Sequence, residues 1–321
     1  MTMARALKGL RIVFAGTPEV AVPALRRLAA GRHRVVGVLT RPDAPLGRRR
    51  TPTASAVARE AALLGLPVVT ANRPDETTAR QVHAWAPDLG VIVAYGGLLR
   101  QPLLDVPAHG WINLHFSALP RWRGAAPVQR AILAGERATA LDVFRLVPAL
   151  DAGEILASRS QGLPADETAG QALERFAGQG AGLLEEVVDA IARGDAAGRP
   201  QEGDATYATK LTRDDGRLDW ARPAAEIYNR FRAVTPEPGA FTTLAGQTVK
   251  IHDMRRSGAH PGPAPDPAAL AAGEARGIPN GVLVGTGTTP LLLVTLQPAG
   301  KRAMPAEDWW RGHGRAGLRL G

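Results

Sequence analysis

Cysteine is absent from this sequence of 321 residues, and its absence excludes both disulfide bonds and cysteine-ligated metals. Such a composition is typical of proteins in a reducing compartment. Apolar runs of about 18 residues or more, which would indicate membrane-spanning helices, are also absent. The first residues lack the apolar stretch and the small-residue cleavage site of a secretory signal. We therefore expect a cytoplasmic protein that does not associate with membranes.

Charge is distributed unevenly along the chain, which carries 39 Lys and Arg against 30 Asp and Glu, a net charge of +9. Residues 1–60 hold 12 basic and 3 acidic side chains, residues 61–207 hold 12 and 17, and residues 208–321 hold 15 and 10. Both ends are therefore basic, a pattern that suits a polyanionic partner. Charge alone leaves this open, because many basic proteins bind no nucleic acid.

Short apolar runs alternate with segments of helical periodicity in the first two thirds of the chain. Strands are predicted over residues 10–15, 34–40, 88–94, 111–115 and 141–146. Helices are predicted over residues 55–64, 77–86, 127–134 and 170–193. This alternation favours an α/β fold with a doubly wound, mostly parallel sheet. Ligands of such sheets bind beyond the C-terminal ends of the strands.

The texture of the sequence changes after residues 194–206, which are rich in Gly and Asp and are interpreted as a linker. Beyond them, short β-like runs separated by Gly and Pro turns predict a smaller, mostly β domain, in the manner of a barrel. Residues 243–251 resemble a hairpin with Ala245 and Gly246 near its turn. Residues 257–277 are rich in Ala, Pro and Gly and are predicted to form a loop. The predicted division is a domain over 1–193, a linker over 194–206 and a domain over 207–321.

Three polar residues could carry chemistry. Asn113 and His115 alternate on the predicted strand 111–115, so their side chains project to the same face of the sheet. The Asn amide could bind a carbonyl oxygen that becomes an oxyanion, and the imidazole could relay a proton. Asp151 lies at a predicted turn, where it could orient His115 or accept a proton. An ordinary core pair and a turn-forming Asp would give the same pattern, so the residues alone leave both interpretations open.

The longer string around these residues resembles the folate-dependent formyltransferase family. The resemblance rests on residues 113–124, NLHFSALPRWRG, and on residues 150–153, LDAG. Further matches extend along nearly the full chain, among them residues 11–19, 207–211 and 217–220. The resemblance implies a doubly wound N-terminal domain and a C-terminal β-barrel of OB-like type. It implies 10-formyltetrahydrofolate as formyl donor and the amino group of methionyl initiator tRNA as acceptor.

The resemblance also implies roles for individual residues. Those matching the family's catalytic residues are Asn113, His115 and Asp151. Those matching its folate-contacting loops are Ser117, Ala118, Leu119, Pro120, Tyr95, Gly96 and Leu98. An insertion over residues 41–51 is expected to contact tRNA through Arg48, Arg49 and Arg50, with non-specific contacts from Lys210 and Lys301 in the C-terminal domain. No metal is implied, because the other histidines lack ligand spacing, and a monomer is the simplest expectation.

Three positions depart from the family's pattern. Phe116 stands where Gly or Pro is usual, and Ala118 stands where Leu is common. Asp142 stands where the family usually carries the Thr of a Gly-x-Thr, and it introduces a charge near the expected site. The three catalytic residue types are nevertheless intact.

Three other functions fit these residues less well. A formyltransferase acting on a sugar nucleotide or a small amine would not need the Arg-rich segment or the basic C-terminal domain. A nicotinamide-dependent dehydrogenase would carry a three-glycine phosphate loop after the first strand, where this chain has Gly16-Thr17-Pro18-Glu19. A non-catalytic RNA-binding protein would leave Asn113, His115 and Asp151 unexplained.

Overall fold

The computed structural model describes residues 9–46, 51–257, 270–313 and 316–321. The chain divides into two compact units. The first unit comprises residues 1–127, 138–162 and 173–209, and the second comprises residues 128–137, 163–172 and 210–321. The domain boundaries expected from the sequence stay predictions.

The first unit is built around a seven-stranded sheet. The strands up to residue 208 are β1 (Arg11–Gly16), β2 (Arg34–Thr40), β3 (Ala44–Leu46), β4 (Thr51–Thr53), β5 (Val68–Thr70), β6 (Leu89–Val93), β7 (Trp111–His115), β8 (Arg123–Gly124), β9 (Ala138–Arg145), β10 (Ile155–Gly162) and β11 (Tyr207–Ala208). The α-helices up to residue 193 are α1 (Val22–Ala30), α2 (Ala56–Leu63), α3 (Glu76–Ala84), α4 (Pro127–Leu133) and α5 (Ala169–Arg193).

The strands of this sheet lie in the order β10-β9-β7-β6-β1-β2-β5. The five strands from β7 to β5 in that order are parallel, whereas β9 is antiparallel to both β7 and β10. From β1 the chain adds β2 and β5 on one side and then returns to add β6 and β7 on the other. The strand order therefore reverses between β1 and β6. The predicted α/β fold with a mostly parallel sheet is confirmed, with one strand, β9, running against the other six.

Burial explains which strands are visible in the sequence. All five residues of β6 are buried, as are the last five of β1, so both strands read as continuous apolar runs. The edge strand β10 is not predicted from the sequence, because its residues ILASRSQG are largely exposed or half-buried and form no such run.

The second unit contains a separate antiparallel sheet. Its strands are β12 (Ala240–Leu244), β13 (Gln247–Arg256), β14 (Ala275–Ile278), β15 (Gly281–Val284), β16 (Leu291–Pro298) and β17 (Met304–Pro305). Its further helices are α6 (Ala224–Val234) and α7 (Ala306–His313). Two tryptophans, Trp220 and Trp309, lie in its apolar core.

The order of this second sheet is β12-β13-β16-β15-β14, with β17 paired to β16. Within the described residues, no pairing joins β12 to β14. The sheet is therefore open by its hydrogen bonds, and closure into a barrel stays a prediction.

Two local predictions for the second unit have different outcomes. The hairpin is confirmed, since β12 and β13 pair from Leu244 and Gln247 outward, with Ala245 and Gly246 at the turn. The loop predicted over 257–277 is wrong at its end, where β14 pairs with β15 from Ala275 onward. Residues 258–269 of that prediction lie outside the described residues.

The longest α-helix described is α5, with 25 residues. No helix among the described residues is both long and apolar enough to traverse a bilayer.

Candidate active site

The C-terminal ends of three parallel strands meet at one edge of the first sheet. Gly16 at the end of β1 pairs with Val93 at the end of β6, and Val93 pairs with Leu114 near the end of β7. The reversal of strand order falls between β1 and β6, and ligands of open α/β sheets bind at such reversals. Asn113 and His115 on β7 are therefore placed at the edge where a site is expected.

Asn113 is half-buried, and its carboxamide makes no hydrogen bond to any described residue. Its Oδ1 atom is itself fully buried and without a partner in the described part of the chain. Buried polar atoms in native proteins are nearly always hydrogen-bonded, so this oxygen is open to a hydrogen bond from a ligand or a water molecule. Phe144 of β9 lies opposite Asn113 in the sheet register.

His115, the last residue of β7, is 6% exposed. Its Nε2 atom lies 3.0 Å from the carbonyl oxygen of Trp122. A carbonyl can only accept, so Nε2 carries the hydrogen and Nδ1 is left to take up or release a proton. The edge of the imidazole meets the Phe144 ring, with 6.2 Å between ring centroids. The orientation of the imidazole is thus set by a hydrogen bond to Trp122 and by packing against Phe144.

Asp151 adopts a left-handed backbone conformation, with φ of 45°. Its Oδ2 atom accepts a hydrogen bond of 2.7 Å from the backbone N–H of Gly124. No hydrogen bond joins the carboxylate to His115 in the described structure. Instead, Asp151 and His115 bind the same loop two residues apart, at Gly124 and Trp122. The loop 117–124 therefore links Asp151 to the strand that carries Asn113 and His115.

The predicted folate loop is held by its own polar atoms. The buried Ser117 hydroxyl donates to the Arg121 carbonyl over 2.7 Å, and Ala118 is exposed. Leu119 is 7% exposed and is joined to Pro120 by a cis peptide bond. The Ser117 side chain therefore shapes the loop, while the exposed Ala118 remains accessible.

The loop beside β6 has one buried anchor and one exposed residue. The Tyr95 hydroxyl donates to the Ala71 carbonyl, and the Tyr95 carbonyl accepts from the Thr17 hydroxyl over 2.7 Å. Burial raises the pKa of Tyr95 to about 12, so the phenol stays protonated. Gly96 is exposed, and Leu98 is 56% exposed. Tyr95 is thus the buried residue that anchors the loop, while the exposed Leu98 is accessible to a ligand.

Asp142 carries the unexpected charge beside this site. It is 1% exposed and lies in register with His115. Its Oδ2 atom accepts from the Leu119 N–H over 2.8 Å, and its Oδ1 atom accepts from the Ser158 hydroxyl. Burial raises the pKa of Asp142, although the hydrogen bonds from Ser158 and Leu119 and the nearby charges of His115 and Arg199 partly oppose the shift. Asp142 therefore connects β9 to the predicted folate loop.

Two residues of the predicted linker, Gln201 and Thr206, also reach this loop. The Thr206 hydroxyl accepts from the Trp122 N–H over 2.9 Å, and its carbonyl accepts from the Arg123 N–H. The Gln201 side chain hydrogen-bonds both Arg123 and the Asp151 backbone. Neither residue is predicted from the sequence, because a polar side chain in a Gly-rich segment carries no periodic signal.

The predicted tRNA-binding residues are only partly described. Arg48, Arg49 and Arg50 lie outside the described residues. Lys210 and Lys301 belong to the second unit, and both are exposed. Among the described residues, no group of three or more His, Asp or Glu is arranged to hold a metal ion.

Two sequence relatives that align over nearly the whole chain share the same name. A protein of Clavibacter sepedonicus named methionyl-tRNA formyltransferase is 53% identical over 304 residues, covering 94% of this chain and 97% of its own. A protein of the same name from Leifsonia xyli is 53% identical over 305 residues, covering 95% and 98%.

Solved structures share the fold at low sequence identity. HypX from Aquifex aeolicus, solved in complex with tetrahydrofolic acid, has a TM-score of 0.63 at 16% identity, covering 94% of this chain and 47% of its own. Methionyl-tRNA formyltransferase from Clostridium thermocellum has a TM-score of 0.55 at 15% identity, covering 78% and 95%.

Family models agree with both comparisons. The model described as formyl transferase matches residues 10–188, and the model described as formyl transferase, C-terminal domain, matches residues 210–314. The candidate site around Asn113, His115 and Asp151 lies within the first match, whereas Gln201 and Thr206 lie outside it. The chain belongs to the formyl transferase family.

Proposed function

We propose that this protein transfers the formyl group of 10-formyltetrahydrofolate to the free amino group of methionyl initiator tRNA. The relatives from Clavibacter and Leifsonia, which carry methionyl-tRNA in their name, align over nearly the whole chain at about half identity. A folate donor is supported by the shared fold with a tetrahydrofolic acid complex. An acceptor such as a sugar nucleotide or a small amine has no comparable support from these sequence relatives.

The observation that carries the proposed chemistry is the unpartnered Asn113 carboxamide at the end of β7. Formyl transfer from N10 of folate to an amine passes through a tetrahedral oxyanion. The Asn113 Nδ2 donor beside the buried His115 imidazole would stabilise that oxyanion. The buried Oδ1 atom can only accept, so its missing hydrogen bond, which costs stability, is explained if the N–H of the attacking amine donates to it.

Three side chains would assist the transfer of the formyl group. The amine lone pair attacks the formyl carbon, the bond from that carbon to N10 breaks, the amine loses a proton and N10 gains one. Asn113 donates to the oxyanion, and His115 acts through Nδ1 because its Nε2–H is bound to Trp122. Asp151 keeps Oδ1 without a partner among the described residues, so this oxygen is available to the amine proton directly or through water.

The rest of the chain would bind the two substrates. The loop 117–120, with Gly96 and Leu98, is assigned to the folate. Arg48, Arg49, Arg50, Lys210 and Lys301 are assigned to the tRNA, and the second unit would bind it as a barrel of OB-like type. The protein would act as a monomer without a metal.

The test is formylation of charged initiator tRNA, with charged elongator tRNA as the comparison, using a labelled formyl-folate donor. Wild-type protein should formylate the initiator strongly and the elongator weakly. We expect Asp151→Asn and His115→Ala to lower kcat by about 100-fold or more. The affinity for tRNA should be unchanged. Equal losses of activity and tRNA affinity would show that the two residues are structural and would contradict the assigned roles.

A further inference from the structure

The Gln201 carboxamide is saturated by hydrogen bonds on both of its ends. Its Nε2 group donates to the Asp151 carbonyl over 2.8 Å and to the Gly153 carbonyl over 2.9 Å. Its Oε1 atom accepts from the Arg123 guanidinium, at 2.6 Å from Nη2 and 3.2 Å from Nε. Two donors and two acceptor sites are all that a carboxamide offers, so the side chain has one role in the described structure.

Asp151 occupies a conformation that needs such support. Asp tolerates a φ of 45° better than most residues with a Cβ atom, but this conformation still costs free energy that contacts with the surroundings offset. The Gln201 amide binds the carbonyls on either side of Ala152 and so fixes the turn that aims the Asp151 carboxylate. The carboxylate in turn accepts from Gly124, the residue after Arg123.

These contacts close a ring from Gln201 through Arg123 and Gly124 to Asp151 and back to Gln201. Gln201 is 50 residues from Asp151 and 78 from Arg123 in sequence. The segment that follows α5 therefore reaches the site instead of only joining two parts of the chain. Arg199, two residues before Gln201, pairs with Ile155 at the start of β10, which places the segment beside the Asp151 turn.

We propose that Gln201 is a positioning residue for formyl transfer, which holds Asp151 in its left-handed turn by binding two backbone carbonyls. The proposal rests on the proposed function, in which Asp151 serves the amine proton. Gln201 touches neither substrate in this scheme and acts only through the turn. Its loss should therefore lower the rate of the chemical step without weakening the binding of either substrate.

Two substitutions distinguish the hydrogen bonds from Gln201 to the Asp151 and Gly153 carbonyls from its contact with Arg123. Gln201→Met has a similar shape and removes all four hydrogen bonds. Gln201→Glu keeps an acceptor for Arg123 but sets a carboxylate against two carbonyl oxygens. We expect kcat to fall by about 100-fold in Gln201→Met, the loss that a misplacement of about 1 Å produces, and further in Gln201→Glu. KM for formyl-folate and for tRNA should change less than about twofold. Glu202→Gln, at the exposed neighbouring position, is the matched control.

A double-mutant cycle with Asp151→Asn tests whether Gln201 acts through Asp151. In the Asp151→Asn background, Gln201→Met should cause no further loss of kcat, because coupled residues are not additive. An undiminished loss in that background would overturn the proposal. So would a Gln201→Glu protein as active as wild type, since the contact with Arg123 alone would then suffice.

Hydrogen exchange at the Gly124 amide gives a readout that does not depend on activity. This amide donates to Asp151 in the wild type, and its exchange should be at least about 10-fold faster in Gln201→Met if the turn is released. Unchanged exchange would overturn the proposal. If the amide is released but wild-type protein formylates no methionyl-tRNA, the proposed function fails while the structural role of Gln201 stands.

Discussion

At the scale of single residues, Asp142 is the most consequential departure from the family's pattern. Its carboxylate lies in the interior of the sheet, where burial favours the neutral form. Its folded-state pKa is raised above the unfolded value. Its contribution to stability is therefore fully present below the unfolded pKa and is lost as the pH rises through the raised pKa. The raised pKa of Asp142 therefore makes the protein less stable at neutral pH than it is below the unfolded pKa.

Asp142→Asn should therefore stabilise the protein at neutral pH. The Asn Oδ1 atom can still accept from Leu119, and its Nδ2 group can donate to the Ser158 hydroxyl, so both hydrogen bonds are retained. Urea unfolding should show a higher midpoint for the variant at neutral pH, and the difference should shrink as the pH is lowered through the raised pKa. A variant less stable than wild type at neutral pH would show that the charge is used by its neighbours.

Gly153 shows why the LDAG motif ends in glycine. A Cβ atom there would lie 1.7 Å from the Arg145 carbonyl oxygen, closer than any real contact. Gly153→Ala should lower the free energy of unfolding by roughly 1–3 kcal/mol, the usual cost of overpacking. It should also lower kcat, because the displaced turn carries Asp151. Gly162→Ala is the matched control, since a Cβ at Gly162 meets no atom within 4 Å. Equal effects of the two variants on thermal unfolding and activity would contradict this account.

At the scale of elements, the hairpin between β12 and β13 has an imperfect turn. Ala245 and Gly246 have φ values of 47° and 78°, as in a type I′ turn. Gly tolerates this conformation, whereas Ala is penalised by its Cβ atom.

Ala245→Asn should stabilise the second unit, because Asn is favoured at the first central position of this turn. We expect a gain of up to about 1 kcal/mol in the free energy of unfolding, the lower end of the left-handed penalty. Ala245→Val should have the opposite effect, since β-branched side chains resist positive φ. Thermal unfolding of the three proteins measures both, and a destabilised Asn variant would show that the turn is constrained by its surroundings.

The elements also show what the sequence can predict. Strands 34–40 and 111–115 are predicted at their observed bounds, because strands buried on both faces leave an apolar run. The start of helix 55–64 is predictable because Ser55 caps it, accepting from the Ala58 N–H. The edge strand β10 leaves no such pattern.

Residues of the candidate site are linked by periodicity alone only where they share one element. Asn113 and His115 are found by their alternation on a single strand. The partners of Asp151 are not, because Gly124 and Gln201 approach it only in the folded chain.

At the scale of the whole molecule, the basic ends of the sequence are the feature that most concerns tRNA. The first 60 residues hold 12 basic and 3 acidic side chains, and the last 114 hold 15 and 10. Phosphate contacts by Lys and Arg make binding salt-dependent, since each contact releases counterions.

The double variant Lys210→Gln with Lys301→Gln should weaken tRNA binding and flatten its salt dependence. The slope of log K against log salt should fall by about 0.7–0.9 for each phosphate that is no longer neutralised. kcat at saturating tRNA should not change. Arg80→Gln, which removes an exposed charge of α3 paired with Glu76, is the control. An unaltered slope of log K against log salt would show that neither lysine contacts a tRNA phosphate.

The pairing of β11 with β8 dictates where this protein can be cut. Tyr207 and Ala208 form a parallel ladder with Arg123 and Gly124, so the segment up to residue 208 holds the backbone whose Gly124 N–H binds Asp151. A fragment ending at Arg193 would lose this ladder together with Gln201 and Thr206. Chimaeras that exchange the C-terminal part of the chain between homologues should therefore be spliced after Ala208.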